Sequence, residues 1–191
     1  MVHGLLLAAG AGRRMGRPKA LVRAADDTPW LLRSVEVLHR GGCRSVTVVL
    51  GAGGEEAARL LAGAPSHTDR PVEVVHAADW SQGMGASLRC GLGALADTAA
   101  EVALVHLVDL PDVTAPVVAR VREAATGPAT LARAAYDGRP GHPVLLGRDH
   151  WPGIRAAAHE DRGARDYLAA HPPVAIECGD LATGEDVDRL P

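Results

Sequence analysis

Five apolar runs of strand length constrain this chain more than any other feature: Leu5–Ala9, Val46–Leu50, Val72–His76, Val102–Val108 and Thr130–Ala134. Most lack the strict apolar–polar alternation of a sheet wetted on one side, so they read as strands covered on both faces. Helical spacing fills the gaps. Thr28-Pro29 reads as a cap and first-turn proline opening Trp30–Arg40. Glu55–Ala62 and Gly85–Ala96 follow, and Thr114 with Pro116 opens a fourth helix running to about Ala125. Such alternation predicts an α/β fold, with a mostly parallel, Rossmann-like three-layer sheet. After about Ala135 the pattern changes. Tyr136–Gly141 is turn-rich and Val144–Leu146 is short, which predicts a small antiparallel excursion. Ile154–His159 and Ala164–Ala170 read as helices, Val174–Ile176 as a last strand and Glu185–Leu190 as a short closing helix.

The 191 residues suit one domain spanning residues 1–191, and Gly63–Arg70 reads as a loop, not an interdomain linker. With no Phe, the core must be built from Ala, Val and Leu. A net charge of −3 provides no general attraction to nucleic acid or to an anionic membrane. Cys43, Cys90 and Cys178 are scattered and odd in number, which argues against a disulfide framework or a zinc cluster. The opening apolar run is too short to span a membrane and lacks the charged start of a signal peptide. It reads as a buried strand of a cytoplasmic protein.

The strongest chemical signal is Leu5–Leu21, LLLAAGAGRRMGRPKAL. A strand ends at Ala9, and Gly10, Gly12 and Gly16 follow with Arg13, Arg14, Arg17 and Lys19 interleaved. Small residues let backbone N–H groups approach an anion, cations neutralise it, and the carboxyl end of a parallel strand is where such sheets bind ligands. The dinucleotide fingerprint needs glycine where Met15 stands, and a Walker A loop needs Gly-Lys-Ser/Thr, whereas Gly16 is followed by Arg17 and Lys19 by Ala20.

Ala8-Ala9-Gly10-x-Gly12-x-Arg14-Met15-Gly16-x-x-Lys19 resembles the signature of the MobA-like nucleotidyltransferases, and within them the molybdenum cofactor cytidylyltransferases. The resemblance implies a fold of the nucleotide-diphospho-sugar transferase type. It implies a triphosphate held by Leu7, Ala8, Ala9, Gly10, Ala11, Gly12, Arg13, Arg14 and Lys19, with Arg14 and Lys19 catalytic. Trp80–Leu92 (WSQGMGASLRCGL) is similar to the family's base and ribose segment, which implies Gly83 and Ser87. Asp109, at the end of an apolar strand in ALVHLVDLPDV, is the carboxylate this architecture aims at Mg²⁺; Asp112 reads as a helix-start residue and His106 as a core histidine. Gly141-His142-Pro143 and Asp161-Arg162-Gly163-Ala164-Arg165 resemble elements facing the second substrate, implying His142 and Arg162 on the acceptor side. The tail Asp180–Asp186 resembles an aspartate-rich segment, with Ala182 and Gly184 where aspartate and proline are common; it offers Asp180 as a second metal ligand, and Glu185 and Asp186 as helix caps.

The resemblance thus implies transfer of a nucleoside monophosphate, from CTP, to a phosphorylated acceptor, the molybdopterin cofactor, with a molybdenum hydroxylase as client. Three alternatives stand beside it: another phosphorylated acceptor, a non-catalytic cofactor-delivery protein, and a nicotinamide-dependent oxidoreductase, against which Met15 counts.

Overall fold

The computed structural model describes residues 1–64 and 70–188. Seven strands form one sheet in the order β3-β2-β1-β4-β6-β5-β7. They are β1 (Val2–Ala8), β2 (Val46–Leu50), β3 (Val72–His76), β4 (Val102–Leu107), β5 (Leu131–Tyr136), β6 (Arg139–Gly147) and β7 (Val174–Glu177). The helices are α1 (Trp30–Arg40), α2 (Gly54–Ala62), α3 (Met84–Leu95), α4 (Ala115–Arg122), α5 (Trp151–Ala157) and α6 (Arg165–Ala170). β1 lies parallel to both β2 and β4, and β2 to β3. The parallel α/β architecture expected from the apolar runs is present.

The faces of β1 divide the core. Leu6 and Ala8 pack among buried residues of α1 and α4 on one side, and Leu5 and Leu7 pack with α3 and α5 on the other. Alternate side chains of one strand therefore feed two helical layers, which is why the run is apolar throughout. The chain first winds outward from β1 to β2 and β3, then returns through α3 to place β4 on the opposite side of β1. That reversal opens a crevice at the carboxyl ends of β1 and β4, the position where ligands bind in such sheets.

The antiparallel excursion is larger than the sequence suggests. β6 has nine residues, lies inside the sheet and pairs antiparallel with both β4 and β5. Pro140, Gly141 and Pro143 disguised it, since proline argues against an interior strand. The turn before it, Asp137-Gly138, has φ of 50° and 75°, a reversal that Asp-Gly favours. Other boundaries also move. Pro29, not Thr28, is the residue before α1, and neither it nor Thr114 makes a side-chain cap bond. α5 begins at Trp151, three residues before the expected start. Residues 185–188 are not helical, and the end of the expected closing helix, like residues 65–69 of the Gly63–Arg70 loop, lies outside the described residues.

α3 matters to the site because its first turn lines the crevice. It seats closely because Gly91 has no side chain: a Cβ there would lie 2.6 Å from Leu5 Cδ1 and 2.9 Å from Val49 Cγ2. Gly91→Ala is expected to lower stability by about 1–3 kcal/mol through overpacking, read as a reduced urea midpoint with unchanged slope. An unaltered midpoint would show that the helix is free to lift.

Candidate functional site

The loop after β1 is bent by Gly12, whose φ is 56° and whose substituted Cβ would sit 2.0 Å from the Arg17 carbonyl oxygen. Met15 N–H donates to Gly12 O at 2.8 Å and Lys19 N–H to Gly10 O at 3.1 Å, closing the loop on itself. Among the described residues, the amides of Ala11, Gly12, Arg13 and Arg14 have no acceptor. They form a set of free donors beside three cationic side chains, suited to an anion.

β4 runs beside β1 in register, Leu7 against Leu107, and Val108 N–H donates to Leu7 O at 3.2 Å. Asp109, two residues beyond β4, is thereby set against the loop and is only 8% exposed. Lys19 Nζ donates to Asp109 and, at 2.9 Å, to Asp188 Oδ1, while Arg14 donates to Asp188 Oδ2 at 2.7 Å. Burial works against the Lys19 charge, but the bonds to Asp109 and Asp188 outweigh it and hold the ammonium pKa above its ordinary value. The bond from Lys19, and then its charge, hold the Asp188 carboxyl below the usual carboxylate range.

Asp186 completes a group with Asp109 and Asp188, one oxygen from each lying within 4.8 Å of the others. Three carboxylate oxygens are hard donors of the kind Mg²⁺ and Mn²⁺ prefer, and Lys19 already supplies a positive charge to two of them, so the residues fit a divalent cation. The structure does not bring Asp180 to this group. Its carboxylate is held by both terminal nitrogens of Arg120, the Oδ2 contact at 2.9 Å, and it is not among the clustered ligands. Asp186 is likewise no helix cap, since no helix follows it among the described residues. Asp186 and Asp188 were missed because a helical reading of the tail disperses them, whereas in an extended segment residues two apart face the same way. Asp112 is not a helix-start residue in function either: its Oδ2 accepts from Thr183 N–H, Thr183 Oγ1 and Gly184 N–H.

A cavity of about 380 Å³ lies over these groups, lined by Leu7, Ala9–Arg14, Lys19, Gly83, Ser87 and Asp109, together with Trp80, Ser81, Met84, Asp161 and Asp188. Ala8, expected beside the nucleotide, instead points into the core. Ser87 is the fourth residue of α3 and caps nothing; Gly83 precedes the helix with φ of 110°. A Cβ at Gly83 would meet the Glu160 carbonyl carbon at 2.5 Å and Asp161 Oδ1 at 2.6 Å, so glycine is required by the approach of the 160–162 turn.

A second cavity of about 310 Å³ adjoins the first across Met84 and Asp161, which line both. Arg133, His142, Arg162 and Arg165 lie around it over apolar walls. Burial, with the Arg133 charge adding, pushes His142 down to about 4, so it is neutral at pH 7. His142 and Arg162 therefore sit together, apart from the Lys19–Asp109 pair. Arg162 is turned toward Asp166 at 3.1 Å.

The arrangement joins a phosphate-sized loop, a carboxylate cluster and a neighbouring polar cavity at one sheet edge. The chain belongs to the MobA-like NTP transferase domain family, whose sequence model matches residues 4–174. Among individual relatives it is 36% identical to nicotine blue oxidoreductase of Paenarthrobacter nicotinovorans, covering 99% of this chain and 93% of that protein. It is 31% identical to molybdenum cofactor guanylyltransferase of Rhodobacter capsulatus, over 78% of this chain and 65% of that protein. The manganese complex of Rv0371c from Mycobacterium tuberculosis superposes with a TM-score of 0.68 at 25% identity, over 97% of this chain and 93% of that one. No helix among the described residues is long and apolar enough to cross a membrane.

Beneath the site, His106 is 1% exposed and its Nδ1 has no partner among the described residues. Burial pushes its pKa down to about 3; the His142 charge adds to the shift and Asp112 opposes it. Between pH 6.5 and that value the unfolded chain binds a proton that the folded chain refuses, so stability falls as the solution is acidified. His106→Leu is expected to flatten that decline by an amount approaching about 1.4 kcal/mol per pH unit between about pH 5.5 and 4.5, where the unfolded histidine is almost fully protonated, measured by urea unfolding. An unchanged slope would assign the acid sensitivity elsewhere.

Proposed function

We propose that this chain is a magnesium-dependent nucleotidyltransferase that moves a nucleoside monophosphate from a triphosphate, CTP, onto the phosphate of a molybdopterin-type acceptor. The observation that carries this reading is the meeting of the open-amide loop and Lys19 with three clustered aspartates at the β1–β4 crevice. In it the amides of Ala11–Arg14, with Arg13 and Arg14, receive the β- and γ-phosphates. Gly83 and Ser87 lie along the ribose and base, and the acceptor enters past Met84 and Asp161 from the cavity holding His142 and Arg162.

A phosphate oxygen of the acceptor attacks the α-phosphorus in line. The new P–O bond forms as the bond to the bridging oxygen breaks, and that oxygen leaves with pyrophosphate. The attacking group is already anionic, so no protein nucleophile is needed, and catalysis is positioning plus charge neutralisation. Lys19 turns from the carboxylates to the phosphates and stabilises charge on the departing pyrophosphate. Asp109, with Asp186 and Asp188, would hold Mg²⁺, which when bound neutralises phosphate oxygens.

The supporting relationships are the family match and the guanylyltransferase relative. A second reading follows from the 36% identical relative, which suggests oxidoreductase chemistry on a pigment such as nicotine blue. The two separate in one set of assays. Each of the four nucleoside triphosphates, with Mg²⁺ and acceptor-bearing extract, is scored for pyrophosphate release, and NADH or NADPH with nicotine blue is scored for dye reduction. CTP-dependent pyrophosphate release is the expected result; dye reduction with no pyrophosphate from any triphosphate would replace the proposal with the second reading. Lys19→Ala is expected to raise the transfer barrier by about 2–4 kcal/mol, the scale of losing one charge-stabilising donor. Asp109→Asn is expected to abolish turnover at ordinary Mg²⁺, and full activity in either variant would remove that residue from the mechanism.

A further inference from the structure

The family match ends at residue 174, yet two of the three clustered carboxylates, Asp186 and Asp188, lie beyond it. The segment that carries them crosses the carboxyl edge of the sheet as an irregular strap, fastened at successive points. Glu177 accepts from the amides of Asp137, Gly138 and Gly179. Arg120 holds Asp180, and Cys178 N–H donates to Ala135 O at 2.8 Å. The strap then bends at Thr183-Gly184. Gly184 has φ of 67°, and a Cβ there would lie 2.1 Å from Tyr136 Cε2, so only glycine fits between the bend and the ring. Proline, fixed near −65°, is barred from this conformation.

The bend is held by one side chain. Asp112 Oδ2 accepts from Thr183 N–H at 2.7 Å, Thr183 Oγ1 at 2.6 Å and Gly184 N–H at 3.1 Å. Its other oxygen is buried with no hydrogen-bond partner among the described residues. All of this carboxylate's hydrogen bonding is therefore committed to the strap, at a cost in desolvation that an ordinary surface turn does not incur. Asp112 also stands three residues after Asp109 in the same turn, and Val187 N–H donates to the Asp109 carbonyl at 2.9 Å. The turn that presents Asp109 thus grips the strap on both sides of Asp186.

We propose that Asp112 is a positioning residue: it latches the bend at Thr183-Gly184 so that Asp186 and Asp188 reach Asp109, and the divalent-cation site is complete only while the latch is made. This rests on the metal-holding role of the three aspartates in the proposed function. Residues that orient metal ligands without touching the ion change affinity by roughly 10–100-fold when removed, and Asp112 is placed to act in that way through the backbone.

The test uses the full chain without nucleotide, with Mn²⁺ binding read by electron paramagnetic resonance of the free ion and strap order read by amide hydrogen exchange. Asp112→Ala is expected to speed exchange at Thr183, Gly184 and Val187 and to weaken Mn²⁺ binding roughly 10–100-fold. Asp112→Asn, whose amide oxygen can accept the same three bonds, recovers most of both. Thr183→Val, which removes only the hydroxyl bond, shifts both in the same direction by less and serves if the alanine variant does not fold. Unchanged Mn²⁺ affinity in a variant whose strap has loosened overturns the latch, as does a strap that stays protected in Asp112→Ala. If Asp186→Asn and Asp188→Asn weaken Mn²⁺ binding while the Asp112 variants do not, the metal assignment stands and the latch alone falls. If the carboxylate variants bind Mn²⁺ like the parent, both fall.

Discussion

Lys19 joins parts of the chain that are far apart in sequence: its own glycine loop after β1, Asp109 after β4, and Asp188 near the end of the described residues. The arrangement depends on this ion pair because the aspartates cannot gather unaided. Two carboxylate oxygens lying within 4.8 Å of each other repel by at least roughly 3 kcal/mol at an effective dielectric of 20, and by less where solvent screens them. A positive charge between them is a condition of the geometry. Lys19 provides it here, and a divalent cation would free Lys19 to meet phosphate. The same residue thus supports the gathered carboxylates and would become available were a cation to take over that role.

The topology supplies the rest of that encounter. Because β1 and β4 are adjacent parallel strands entered from opposite windings, the loop after one and the carboxylate after the other emerge at the same edge without any long insertion. α3 closes the third side. Its seating through Gly91 on Leu5 and Val49, and the approach of the 160–162 turn to Gly83, fix where Ser87 and Asp161 stand. Glycines that look interchangeable in sequence have separate causes here: close packing alone at Gly91, and a positive φ together with a close approach at Gly12, Gly83 and Gly184.

The parallel half of the fold was legible because β1, β2 and β4 are buried on both faces, which writes continuous apolar runs into the sequence, and because glycine and lysine spacing after β1 is local information; β3, at the sheet edge, is exposed or half-buried along its length and was found from its β-branched residues alone. β6 was largely illegible, since its prolines contradict the usual grammar of an interior strand and its pairing with β4 is set by residues some forty positions away. The site divides in the same way. Gly10–Arg14, Lys19 and Asp109, which the structure brings to one cavity, are marked by their neighbours in sequence, and Ser87 by the resemblance of its segment. The second and third carboxylates could not, because their place depends on the strap bending at Gly184 and on Asp112, whose partners no local pattern reveals. Asp180 looked suitable by resemblance to an aspartate-rich tail, but Arg120 claims it.

The charge pattern also bears on the two readings of activity, which a shared fold cannot separate. A dinucleotide bound at the β1 loop would bring its pyrophosphate toward Asp109, Asp186 and Asp188 as well as toward Arg13, Arg14 and Lys19. Three carboxylates at the mouth of a phosphate site oppose a bound phosphate unless a cation intervenes. In hydride transfer the phosphates of the dinucleotide do not react, so a cation that neutralises them adds nothing to the chemical step, and the carboxylates would be a standing cost to binding. For transfer of a nucleoside monophosphate, negative charge must be neutralised on the triphosphate and again on the leaving pyrophosphate, and a cation held by acids beside a lysine would do that. The cluster opposes binding in the first chemistry and assists reaction in the second, and on this physical ground the nucleotidyl reading is preferred.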